Sequence, residues 1–180
     1  MTRITRHSLS DAPPESRALL AEMVQFSPTG RLLNMHAEMA HAPAVLEGYV
    51  GLRRATANHG ALDQRVRTAL MLAAAAVYQN DYALAVISTL ALRSGWSHDQ
   101  VKTLQVGESV GDRTTDAIVG VIREAAGNHG HVSDATWDQA VDSGWNDEQL
   151  AEAFAYLGLT VFTCYFLSYA DTELDIPAGG

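Results

Sequence analysis

Leu62 to Leu104 reads LDQRVRTALMLAAAAVYQNDYALAVISTLALRSGWSHDQVKTL, and this stretch carries the punctuation of three consecutive helices. Asp63 stands where an N-cap belongs, and the apolar run after it continues through Val77. The polar break Gln79-Asn80-Asp81 interrupts it, and a second helix is expected over Tyr82–Arg93, with Asp81 placed to cap it. Gly95 then ends that helix in the left-handed conformation, and Trp96 packs back over the turn. Ser97 caps a third helix, with Gln100 three residues on to complete a capping box.

The corner recurs. Ser94-Gly95-Trp96-Ser97-His98-Asp99-Gln100-Val101 is matched by Ser143-Gly144-Trp145-Asn146-Asp147-Glu148-Gln149-Leu150. Asn146 replaces Ser97 as cap, Gln149 replaces Gln100, and Asp147 and Glu148 favour the positive helix N-terminus. Two copies of one helix–Gly–Trp–helix corner indicate a duplicated helical hairpin.

Working outward, helix signals continue and strand signals are almost absent. Pro13-Pro14 precedes Glu15–Val24, where Leu19, Leu20, Met23 and Val24 form an apolar stripe. Leu32–Ala40 follows, and Pro43 opens a helix over Ala44–Asn58 that Gly60 is expected to end as a left-handed C-cap. Asp112–Ala126 is another capped helix, Gly127-Asn128-His129-Gly130-His131 is a loop, and Asp134–Ser143 leads into the second corner. The tail from Asp171 is expected to end the fold in extended chain near Pro177.

Composition bounds the partners. At 180 residues, 47% hydrophobic and 18% charged, the chain is long enough for one domain with a substantial core. We divide it into an N-terminal segment with the first helix, residues 1–30, and a helical domain over 31–177. A net charge of −9 argues against nucleic acid and against an anionic membrane surface. Cys164 is the one cysteine, so neither an internal disulfide nor a Cys-x-x-Cys pair is possible. Met1–Pro14 lacks the apolar core of a secretory signal, and a cytoplasmic location is expected. Phe154–Ala170 approaches the lower limit of a membrane span, about 17 residues. Its Gly158, Thr160, Thr163, Ser168 and three tyrosines read instead as a helix buried in a core or subunit interface.

The ordered set of motifs resembles the carboxymuconolactone decarboxylase and alkylhydroperoxidase D superfamily. Leu62–Leu104 is similar to that superfamily's core helix pair and the acidic capped helix after it. Leu33-Asn34…Met39-Ala40-His41-Ala42-Pro43 is similar to its Asn…Ala-His-x-Pro segment, and Phe154–Asp175 to its C-terminal helix with a leucine-aspartate ending. The resemblance covers about Arg31 to Pro177 and implies an all-α, alkylhydroperoxidase D-like helical bundle. Its peroxidases carry Glu-x(11)-Cys-x(2)-Cys-x(3)-His. With the Gly95 corner fixing the register, the glutamate position becomes Thr68, the cysteines become Asn80 and Ala83, and the histidine becomes Ile87. Tyr82 keeps the aromatic often found between the cysteines.

Thiol peroxidase chemistry needs a thiolate, a resolving thiol and a proton relay. Amide, methyl and branched-alkyl groups supply none of these, and Cys164 reads as a small buried hydrophobe. Decarboxylases of the superfamily also place a histidine where Ile87 stands. The resemblance further implies a pocket between the Asn34–His41 segment and the Tyr82 helix. There His36 or His41 is a candidate general base, with Tyr82 and Asn80 orienting a carbonyl or carboxylate. Asn34, Glu38, Thr68, Tyr78, Asp81, Ala83 and Ile87 are the candidate substrate-binding positions. His36, Glu38 and His41 do not share one helix face, so no metal site is assigned, and no cofactor motif is present.

These readings point to a cofactor-free, non-redox enzyme acting on a small organic molecule by lyase, isomerase or lactone-type proton transfer. A non-catalytic helical oligomer that binds a ligand or partner is the alternative, and residual alkylhydroperoxidase activity ranks last. The apolar Leu70–Val77 and Phe154–Tyr169 stretches predict a homo-oligomer, which the resemblance makes a trimer or hexamer.

Overall fold

A computed structural model describes residues 2–176, and among them regular structure is helical throughout. The expected extended chain at Pro177 lies outside the described residues. The central element is α4, Gln64–Val77, which packs against α5 (Asp81–Arg93), α6 (His98–Val106), α7 (Arg113–Gly127) and α9 (Asp147–Ala170). Ala69, Ala73, Ala74 and Ala75 are buried on α4, and their small side chains let the neighbouring helices approach. Around this centre lie α1 (Pro14–Gln25), α2 (Asn34–Met39), α3 (Pro43–His59) and α8 (Asp134–Asp142).

The duplication extends further than a hairpin. Asp63 caps α4 by accepting from Val66 N, and Asp112 caps α7 by accepting from Thr114 N and Thr115 N. Trp96 Nε1 donates to Arg65 O at 2.9 Å, and Trp145 Nε1 donates to Thr114 O at 2.8 Å, each reaching back 31 residues. Both corner glycines are left-handed, with φ of 97° at Gly95 and 99° at Gly144, and both capping boxes are complete. The repeated unit is therefore three helices, α4–α5–α6 and α7–α8–α9. In each, a tryptophan from the corner fastens onto the first turn of the unit's opening helix.

Three local expectations are corrected. Gly60 is extended, with φ −74°, not left-handed. It is a glycine because the chain is crowded there: a Cβ would meet Thr56 O at 2.5 Å and Arg67 Nη2 at 2.6 Å, with the Glu152 carboxylate closer still. Asp81 is the first residue of α5 and not its cap. Asn80 takes that role, its Oδ1 accepting from Ala83 N at 2.9 Å. Helix α2 is also shorter than its apolar pattern suggested, because Leu32 and Leu33 remain outside it.

Helix α9 is apolar around its whole circumference. Ala153, Tyr156, Thr160, Cys164 and Leu167 are buried against the bundle, while Phe154, Tyr165 and Tyr169 are 67%, 59% and 72% exposed. By length and hydropathy α9 is long and apolar enough to cross a membrane, yet 44% of its most apolar window is packed inside the bundle.

The two ends of the described chain meet at Glu38. Its buried carboxylate accepts from Thr2 Oγ1 at 2.8 Å, from Arg6 Nε at 3.4 Å and from Thr172 Oγ1. A carboxylate this deep persists only with such partners.

Candidate functional site

A cavity of 240 Å³ opens between α3, α4, α5 and α9 and takes in the corner between α4 and α5. Each helix contributes one face at helical spacing. Tyr49, Arg53 and Thr56 come from α3; Gln64, Arg67, Thr68 and Met71 from α4 and its start. Ala83, Val86, Ile87 and Leu90 come from α5, and Tyr156, Thr160 and Thr163 from α9. Met35 of α2 and Tyr82 complete the wall. Thr68, Ala83 and Ile87, three of the four positions that the resemblance sets against redox groups, thus face one cavity. They present hydroxyl, methyl and branched alkyl groups to it.

Other expected residues are brought to structural roles. Asn80, the fourth position, caps α5, and its Nδ2 donates to Cys164 O and Ser168 Oγ, both at 3.4 Å. Tyr82 Oη donates to Asp175 Oδ1 at 2.5 Å and lies 3.5 Å from Met35 N. Burial first, and then Asp175, push the Tyr82 phenol well above the ordinary range. Asp175 Oδ2 accepts from Asn34 N at 2.9 Å, while Asn34 Nδ2 donates to Glu173 O at 2.9 Å. Thr68 Oγ1 sits 3.0 Å from Arg65 O and 2.8 Å from Ser94 Oγ, tying α4 to the corner. Tyr78 donates to Ala126 O at 3.1 Å and faces a different groove, and Asp81 is exposed at the start of α5.

The two histidines lie off the cavity. His41 is exposed, with Nε2 2.8 Å from Thr5 O and 3.0 Å from Thr5 Oγ1, and its ring stacks on His7 at 4.0 Å. His36 is 3% exposed, and neither ring nitrogen has a hydrogen-bond partner. Burial and the nearby Arg53 charge push its pKa down to about 3, so the ring is neutral and weakly basic. It faces a chamber of 20 Å³ that shares Met35, Tyr49, Arg53, Val86 and Leu90 with the main cavity.

Arg53, Tyr49, Arg67 and Tyr156 also reach the cavity, and no local sequence signal marks them. Arg53 Nη1 donates to Tyr49 Oη at 3.1 Å. Arg67 Nε faces Glu152 Oε1 at 3.7 Å, Arg67 Nη2 donates to Gly60 O at 3.1 Å, and its guanidinium lies 5.9 Å from the Tyr156 ring centre. Burial raises the Tyr156 pKa, while Arg67 and a hydrogen bond with Thr56 oppose that rise. The wall therefore offers guanidinium and phenol donors and no ordinary-range base. Cys164 adjoins Asn80 through its backbone carbonyl but does not line the cavity; it is buried on α9, and burial pushes its thiol up to about 12.

This architecture is the alkylhydroperoxidase D-like fold. It is shared with a peroxidase-related protein of Ralstonia eutropha JMP134 that has an alkylhydroperoxidase AhpD core. That match has a TM-score of 0.85 at 15% identity, over 97% of this chain and 92% of the other. The debrominase Bmp8, solved in complex with 2,3,4-tribromopyrrole, matches with a TM-score of 0.84 at 16% identity, over 97% and 92%. A peroxidase-related protein of Silicibacter sp. TM1040 matches with a TM-score of 0.80 at 13% identity, over 99% and 94%. No protein-family profile and no curated protein matches the sequence.

Proposed function

We propose that the protein is a cofactor-free, non-redox enzyme that carries out lyase- or isomerase-type chemistry on a small organic molecule held in the 240 Å³ cavity. The observation that carries this reading is the composition of the cavity wall. Arginine and tyrosine donors stand beside apolar side chains at a corner lined by no cysteine. Such a wall suits reactions in which negative charge develops on a carbonyl oxygen. In a decarboxylation, the electron pair of the breaking C–C bond moves into the adjacent carbonyl as CO₂ leaves. The resulting enolate carbon then takes a proton. Tyr156, a phenol held beside Arg67 and Glu152, is placed to donate it. In an isomerisation the same donors polarise the carbonyl. The brominated pyrrole held by Bmp8 supports a small flat ring as the scale of ligand this fold accepts.

The second reading is a binding protein without turnover. One observation favours it: His36 and His41, the natural bases, lie outside the cavity. Incubation with a panel of small keto acids, enones and lactones, followed by proton NMR in D₂O, separates the two. Saturable conversion that Ile87→Trp abolishes and Tyr156→Phe slows at least tenfold is expected. Conversion untouched by Ile87→Trp would place the chemistry elsewhere, and binding without conversion would select the second reading.

A further inference from the structure

The two arginines of the cavity differ in one respect: Arg67 has an anion and Arg53 has none. Arg67 faces the Glu152 carboxylate at 3.7 Å. Arg53 spends one N–H on Tyr49 Oη at 3.1 Å and lies 5.8 Å from the Tyr49 ring centre. Among the described residues no carboxylate pairs with Arg53. Its charge is favoured first by Tyr49 and then by Glu22, and Glu22, the carboxylate of the two, is already held by the neighbouring Arg54, through Nε at 2.9 Å and through Nη2.

A guanidinium carries its charge at every accessible pH and presents five N–H donors. Here it stands between the main cavity and the 20 Å³ chamber, flanked by Met35, Val86 and Leu90. On the far side is the neutral, unpartnered ring of His36, which offers no negative charge. The chamber is large enough for one water, which needs roughly 10–15 Å³, but a water does not neutralise a cation. A partly buried charge bordered by apolar groups is costly unless an anion completes it. The cavity is where that anion can enter.

We infer that Arg53 and Tyr49 form the anion-binding end of the cavity, and that its ligand is a small organic anion that carries, besides the group that reacts, a carboxylate on an apolar body. The carboxylate accepts from the Arg53 fork and the Tyr49 hydroxyl, and the body lies against Met35, Val86 and Ile87. Arg67, neutralised by Glu152, is left for the reacting end near Tyr156. This assignment rests on the reading of the cavity as a small-molecule site, and it adds the charge class of the substrate.

Calorimetric titration of the full chain with benzoate and with its neutral counterpart benzamide tests it. Benzoate is expected to bind at least tenfold tighter than benzamide. Arg53→Met should bring the two affinities together, Arg53→Lys should keep part of the preference, and Arg31→Met, on the exposed surface outside the cavity, should keep all of it. Equal binding of both probes to the wild type, or a preference that survives Arg53→Met in a protein with an unchanged melting profile, overturns the anion assignment and leaves the cavity reading standing. Failure of both probes to bind the wild type overturns the two together.

Discussion

Tyr82 and Asp175 stand far apart in sequence, yet the phenol of one donates to the carboxylate of the other at 2.5 Å. The second oxygen of Asp175 takes the backbone N–H of Asn34 at the start of α2, so one carboxylate ties α5, α2 and the C-terminal segment together. Tyr82→Phe removes the donor while keeping the ring in the cavity wall. A hydrogen bond to a charged group contributes about 1.5–3 kcal/mol, and a loss of that size is expected in chemical denaturation. Ligand affinity should fall less than stability, because the hydroxyl is directed at Asp175 and not at the cavity.

His36 gives the protein a pH-dependent stability of defined sign. Its folded-state pKa is held at about 3 against 6.5 when unfolded, by burial and by the Arg53 charge. Between those values the unfolded chain binds a proton that the folded chain does not, so stability falls as pH falls from 6.5 toward 3. From pH 6.5 to about pH 5 the loss is about 2 kcal/mol. His36→Leu should flatten this part of the profile in urea unfolding measured across the range; an unchanged slope would show that the ring titrates normally.

Cys164 is 2% exposed, and its thiol is raised to about 12. Alkylation requires the thiolate. Iodoacetamide at pH 8 is therefore expected to leave the native protein unmodified in intact-mass spectrometry and to add one group after unfolding in guanidinium. Rapid native labelling would contradict the buried placement.

The outward face of α9 bears on assembly. Phe154, Tyr165 and Tyr169, with Phe162 and Phe166, line an apolar groove of 1020 Å³, and a monomer leaves the first three more than half exposed. Sedimentation is expected to give a multiple of 19.4 kDa, a trimer or hexamer. Tyr165→Glu combined with Tyr169→Glu should shift it toward monomer; a wild type that sediments as a monomer at every concentration would refute assembly through this face.

The parts of the structure that were legible in the sequence are those set by local rules. The corners at Gly95 and Gly144 follow from cap chemistry within a few residues, and the caps at Asp63, Ser97 and Asn146 form as that chemistry requires. Asn80 and Asp81 are adjacent and both able to cap, so pattern alone did not separate them, and the structure selects Asn80. Gly60 illustrates a limit of another kind, since its glycine is required by Glu152 and Arg67 from distant chain, not by its own φ. Thr68, Ala83 and Ile87 were placed at one corner by resemblance, and they line one cavity. Arg53 and Tyr49 were missed although they stand i and i+4 on one helix, because nothing local indicates that this face of α3 turns toward α5 and α9. His36 and Glu38 drew attention by residue type. The structure leaves the first neutral and unpartnered and gives the second to the chain termini.

The corner built from α4 and α5 presents hydroxyl, methyl and branched-alkyl groups at Thr68, Ala83 and Ile87, and none of them supports thiol chemistry. Consumption of cumene hydroperoxide with dithiothreitol as reductant, measured for the wild type and for Cys164→Ala, is the decisive assay. Rates no faster than buffer are expected for both proteins. Hydroperoxide turnover above buffer that disappears in Cys164→Ala would show that thiol chemistry operates in this bundle.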